Sequence, residues 1–134
     1  VLEIGTGCGY HAAVTAELVG SEHVFSVEYV DALAERAGDT LERTGYGDVS
    51  VRTGDGHDGW PEYAPYDAAY LTCAAPAVPD AVVEQVRTGG RLVAPIGSGT
   101  QRLVVAEKRE DGGLDTRDEG AVRFVEMQGG EDAE

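Results

Sequence analysis

The run Val1-Leu2-Glu3-Ile4-Gly5-Thr6-Gly7-Cys8-Gly9-Tyr10 constrains this chain more than any other feature. Its apolar start reads as a buried strand, and its three alternate glycines as a tight turn. Ala12-Ala13-Val14 and Leu18-Val19 then recur at helical spacing, so a helix is expected over Gly9–Val19. A strand, a glycine turn and a helix form a corner at which backbone N–H groups can approach a ligand and the helix N-terminus is electropositive. The spacing narrows the ligand class. A dinucleotide fingerprint, G-x-G-x-x-G, would place its third glycine at position 10, where Tyr10 stands. Glu3, two residues before the first glycine, suits a cationic ligand better than a pyrophosphate.

Beyond this corner, strands and helices alternate. Strands are expected at Val1–Ile4, His23–Glu28, Val49–Arg52, Tyr66–Thr72, Arg91–Ile96, Gln101–Lys108 and Val122–Met127. Helices are expected from an Asp31 N-cap to Arg43, with Leu33, Ala34, Ala37 and Leu41 inward, and over Asp80–Val86 after Pro79. Asp111-Gly112-Gly113 is a hairpin turn, and Gly54–Pro65 a loop of the kind that carries function. This alternation predicts an α/β, mostly parallel, doubly wound sheet of Rossmann-like type with an antiparallel C-terminal strand. Residues 1–127 would form one core and 128–134 a polar tail.

In such sheets ligands bind at the carboxyl ends of the strands. Those ends carry the glycine turn, then Glu28-Tyr29, then Asp55-Gly56, then Thr72-Cys73-Ala74. Glu28 can accept both hydroxyl protons of a ribose. Asp55 can accept from an exocyclic adenine amine, with the Gly56 N–H near the ring, and Glu3 can attract an amino-acid ammonium. Singly these residues have ordinary readings: Glu28 a solvated strand end, Asp55 a turn former. The pattern E-x-G-x-G-x-G resembles motif I of methyltransferases that use S-adenosylmethionine (SAM). The resulting cofactor set is Glu3, Gly5, Thr6, Gly7, Gly9, Glu28, Tyr29, Asp55 and Gly56. A nicotinamide or flavin domain would share Glu28 but predicts neither Glu3 nor Asp55.

The net charge of −15 argues against nucleic acid and anionic membranes as partners. The acids are scattered and Lys108 is the sole lysine, a halophile-like surface. No apolar stretch approaches the ~18 residues of a membrane span. Cys8 and Cys73 fit no metal spacing, so no metal is expected and the thiols read as reduced in a cytoplasm. The chain starts inside a core strand without Met, and is read as a fragment.

Five segments carry a more specific resemblance: VLEIGTGCGYHAA (1–13), FSVEY (25–29), GDGHDGWPEYAPYD (54–67), TCAAPAVP (72–79) and QVRTGGRLVAPIG (85–97), with Arg123-Phe124-Val125 late in the chain. Together they resemble the catalytic core of the protein-L-isoaspartate O-methyltransferase family. The resemblance implies an enzyme moving a methyl group from SAM to the free carboxylate of isoaspartyl residues in damaged proteins; a monomer is expected. Read from their place after the fourth strand, Thr72, Cys73 and Ala74 are the candidates on the acceptor side, where backbone N–H groups and hydroxyls would aid the approach of a carboxylate. The family also carries a segment before motif I that helps build the acceptor pocket; no residue here corresponds to it. Two other readings stand beside this one: a non-catalytic SAM-binding domain, and a related methyltransferase acting on another small acceptor. His11, His23 and His57 are acid–base groups by type and are read as structural or solvent-facing.

Overall fold

The computed structural model describes residues 1–130; the last four residues of the expected tail, 131–134, lie outside the described residues. Seven strands form one sheet: β1 (Leu2–Ile4), β2 (Phe25–Glu28), β3 (Ser50–Thr53), β4 (Tyr66–Leu71), β5 (Val86–Ile96), β6 (Gln101–Lys108) and β7 (Leu114–Val122). Their order is β3-β2-β1-β4-β5-β6-β7. The first five are parallel, and β6 and β7 add on as antiparallel hairpins. The chain runs outward from β1 to β3, then returns to β4 on the other side. That reversal puts the switch in strand order at the end of β1, where the glycine turn sits.

Helices α1 (Tyr10–Val19) and α2 (Asp31–Arg43) bury Ala12, Ala16 and Leu41 with Val24 and Val49 on one face. On the other face α3 (Asp80–Gln85) buries Val82 against Leu2, Ile4, Leu71 and Leu92. The alternation in β1 follows: Leu2 and Ile4 point into this second cluster, while Glu3 points the other way, onto Ser26. Lys108 locks the short α3 in place, its ammonium donating to the carbonyls of Val83 at 3.0 Å, Glu84 at 3.4 Å and Val86 at 2.8 Å. A cation there answers the orphan carbonyls at a helix C-terminus. No helix of the described residues is long and apolar enough to cross a membrane.

Three details differ from expectation. Asp31 is the first residue of α2 rather than its cap, and its carboxylate instead accepts from Thr53 Oγ1 at 2.8 Å. β5 begins at Val86, because pairing with β4 resumes after an irregularity between Tyr66 and Ala68 that accommodates Thr88-Gly89-Gly90. The closing strand is Leu114–Val122, not Val122–Met127. The turn at Asp111–Gly113 returns the chain at once to pair along β6, and β7 is an exposed edge strand with no apolar alternation to reveal it. The apolar residues Phe124, Val125 and Met127 leave the sheet instead. They cross the carboxyl ends of the strands as a strap.

Candidate functional site

The site is built on the glycine turn. Gly5 has φ +100°, and a Cβ there would sit 2.2 Å from Thr72 Oγ1, so only glycine fits. The Gly5 N–H donates to the Val27 carbonyl at 2.8 Å, and Thr72 Oγ1 donates to the Gly5 carbonyl at 2.5 Å. The turn is thereby pinned to β2 on one side and to the end of β4 on the other. Gly9, also at positive φ, precedes α1 without a side-chain cap.

Glu28 is 7% exposed at the tip of β2. Its Oε1 accepts the Gly7 N–H at 2.8 Å and its Oε2 the Val30 N–H at 3.1 Å. Each oxygen keeps a second lone pair, so the carboxylate is oriented and still able to accept from a vicinal diol. Gly5, Gly7, Glu28, Tyr29, Gly56, Thr72 and Cys73 share one cleft of about 390 Å³, walled on its apolar side by Ile4, Val27, Val30 and Leu33. A cleft of this size with an apolar wall and few polar groups suits a nucleoside-sized ligand. The glycine cradle and the oriented Glu28 carboxylate fit the ribose and amino-acid portions of SAM.

Other expected site residues lie elsewhere. Glu3 is fully buried: Ser26 Oγ donates to its Oε1, and Tyr70 OH lies within hydrogen-bond distance of its Oε2 at 2.8 Å. Burial, opposed by the hydrogen bonds with Ser26 and Tyr70 and reinforced by the charge of Glu28, pushes its carboxyl up to about 7. Thr6 turns inward as well, its hydroxyl 2.5 Å from that of Ser26. Asp55 also stands outside the cleft lining. Its Oδ1 takes the His57 N–H at 2.9 Å and the His57 ring Nδ1 at 2.8 Å, and its Oδ2 takes the Gly130 N–H at 2.7 Å. Partial burial raises Asp55, but the amides of Gly130 and His57 and the His57 ring together hold it below the ordinary carboxylate range.

On the acceptor side, Thr72 and Cys73 reach the cleft. Burial, with the nearby Glu28 charge, pushes the Cys73 thiol up to about 11, so it offers no thiolate. Ala74 lines a separate small cavity with His57 and Ser98. The amides expected to meet an incoming carboxylate are partly committed: that of Ala74 donates to Val125 at 2.7 Å, and that of Ala75 to Pro95 at 3.1 Å.

The strap is the part of the site that sequence reasoning missed. Val125, Glu126, Met127 and Gln128 line the cleft. The Met127 N–H returns to the Ala74 carbonyl at 2.8 Å, and Gln101 holds Phe124 from both sides, accepting its N–H at 2.7 Å and donating to its carbonyl at 3.0 Å. Gly130 then closes onto Asp55. The available signal was Phe124-Val125-x-Met127, an alternating apolar run directly after a polar stretch, which reads equally well as a strand.

The sequence model of the Protein-L-isoaspartate(D-aspartate) O-methyltransferase family matches residues 1–132. Protein-L-isoaspartate O-methyltransferase 2 of Archaeoglobus fulgidus is 51% identical over 130 residues, covering 96% of this chain and 59% of that protein. A protein-L-isoaspartate O-methyltransferase of Methanococcus aeolicus is 48% identical, covering 96% of this chain and 60% of that protein. A solved structure of a protein-L-isoaspartate O-methyltransferase superposes with a TM-score of 0.89 at 36% identity, covering 96% of this chain and 41% of that one. The chain thus spans about three fifths of these two curated relatives.

Proposed function

Because this chain belongs to the protein-L-isoaspartate O-methyltransferase family, we propose that it is the SAM-binding core of a carboxyl methyltransferase that acts on L-isoaspartyl residues of damaged proteins. The observation that carries this reading is the joint geometry of the glycine turn and Glu28, whose oxygens are fixed by the Gly7 and Val30 amides at the mouth of one cleft. SAM, when bound, supplies a methyl group already activated on a sulfonium. Glu28 would hold the ribose hydroxyls, the Gly5–Gly7 backbone the amino-acid end, and Gly56 the edge of the base. The acceptor carboxylate is anionic at neutral pH, so the residues at the end of β4 need to orient it and exclude water rather than remove a proton. The buried, neutral Cys73 and the committed hydroxyl of Thr72 accord with a site that positions without acid–base chemistry. The reading includes a monomer in a reducing cytoplasm.

Calorimetric titration of SAM into the chain in about molar salt tests it, followed by methyl transfer to an isoaspartyl peptide in the same buffer. Binding that falls on the order of 100-fold in Glu28→Ala is expected, since two charge-assisted contacts are lost. Turnover would support the repair reading. Binding without turnover would favour a cofactor-binding domain, and no binding by the folded chain would overturn the proposal.

A further inference from the structure

A chain of hydroxyls connects the buried Glu3 to both ends of the glycine turn. On one arm Thr6 Oγ1 lies 2.5 Å from Ser26 Oγ, which donates to Glu3 Oε1. On the other, Tyr70 OH lies 2.8 Å from Glu3 Oε2 and 2.7 Å from Thr15 Oγ1, and Thr15 Oγ1 donates to the His11 carbonyl in the first turn of α1 at 2.9 Å. Thr6 belongs to the turn itself, and His11 to the helix the turn opens into.

The hydrogens can be counted. Five short contacts make up the chain, Thr6–Ser26, Ser26–Glu3, Glu3–Tyr70, Tyr70–Thr15 and Thr15–His11; Tyr70 OH also lies a longer 3.4 Å from the His11 carbonyl, an acceptor that Thr15 already serves. Each hydroxyl has one hydrogen, and Thr6, Ser26, Tyr70 and Thr15 supply four. Only a proton on Glu3 supplies the fifth. With it, Glu3 donates to Tyr70, Tyr70 to Thr15 and Thr15 to His11, while Thr6 and Ser26 still point towards Glu3 Oε1. Without it, Tyr70 turns its hydrogen to Glu3, and Thr15 must choose between Tyr70 and His11.

We propose that Glu3, Ser26 and Tyr70 form a brace that positions the glycine turn, complete only while Glu3 carries a proton, so that nucleoside affinity falls as Glu3 ionises. The inference rests on the SAM-binding reading above and makes Glu3 a positioning residue that acts through Thr6 and α1 rather than by touching the ligand. The groups facing the carboxyl agree with a readily protonated acid. β2 presents Ser26 and, farther along, the Glu28 carboxylate; β4 presents the Tyr70 phenol; α1 presents only the Thr15 hydroxyl and a carbonyl. No basic side chain among the described residues opposes them.

The test is calorimetric binding of adenosine and of S-adenosylhomocysteine to the full chain between pH 5.5 and 8.5 at constant high salt. In the wild type, affinity for both probes should fall by up to about five-fold with rising pH, the worth of one hydrogen bond. Glu3→Gln should remove the dependence: its amide oxygen accepts from Ser26 and its NH₂ donates to Tyr70 at every pH. Tyr70→Phe severs the second arm, so it should bind weakly at low pH with no further loss, and it serves if the Gln variant does not fold. An equal fall in Glu3→Gln would overturn the brace. A response confined to S-adenosylhomocysteine, which carries the ammonium that adenosine lacks, would overturn it in favour of direct contact. If the folded wild type binds neither probe, the cofactor reading itself fails.

Discussion

At the scale of single residues, Gly5 and Gly7 divide two duties that their shared motif conceals. Both have positive φ, but a Cβ on Gly5 would collide with Thr72 Oγ1 at 2.2 Å, whereas one on Gly7 meets nothing within 4 Å. Gly5→Ala is therefore expected to cost about 2–4 kcal/mol of stability. Gly7→Ala should cost only about 1 kcal/mol yet add a methyl at the cleft and weaken SAM binding. Chemical denaturation and calorimetry on the two variants separate these outcomes; equal loss of stability in both would contradict the assignment. Glu3 gives a pH signature of the opposite kind from most carboxylates. Its folded-state value of about 7 lies above the unfolded 4.5, so its contribution to stability is fully present below pH 4.5 and is lost as pH rises through 7. Glu3→Gln should gain up to about 3 kcal/mol on the wild type between pH 5 and pH 8, read from thermal unfolding at the two values. The residue types at the strand ends were legible in the sequence because chemistry dictates them. Their partners were not: Tyr70 lies 67 residues from Glu3, and only the register of β1 against β4 brings them together.

At the scale of elements, α3 is one and a half turns long and owes its place to Lys108 as much as to Val82. Replacing Lys108 by Met removes three contacts to carbonyls and is expected to destabilise by about 1.5–3 kcal/mol, the range for charge-assisted hydrogen bonds. Faster amide hydrogen exchange across 80–86 than across α1 would localise the effect; a uniform change would count against it. α2 was legible from its periodic apolar face, apart from its cap, and β6 was read at its observed bounds although its alternation is less clean. The failures fall where tertiary pairing overrides local pattern. β7 is an edge strand paired on one side, so its polar residues carry no alternation, and it was hidden until the hairpin placed it. Phe124–Met127 has the alternation but finds only one strand neighbour, an isolated parallel bridge between Glu126 and Ala74, and it lies along the cleft instead of extending the sheet.

At the scale of the whole molecule, the net charge of −15 spreads repulsion over the entire surface. Raising sodium chloride from about 0.05 to 1 M shortens the screening length to about 3 Å and should raise the melting temperature steadily. An unchanged or falling midpoint would exclude surface repulsion as a major destabilising force. The overall architecture was readable from the rhythm of apolar segments and glycine-rich turns, since a parallel sheet covered on both faces has few ways to connect. The strap was not, because nothing local specifies that a chain segment should cross strand ends rather than join the sheet.

Lys108 makes this fold its own reporter. It carries the chain's sole side-chain amine, and in the closed structure that amine is tethered against the end of α3. A lysine-selective acylating reagent therefore has one internal target, whose modification neutralises the cation that latches the helix. Labelling would be slow and self-reinforcing: each molecule that lifts α3 and reacts is barred from closing the same latch again. The mass gained over time would then measure how often this corner of the protein opens.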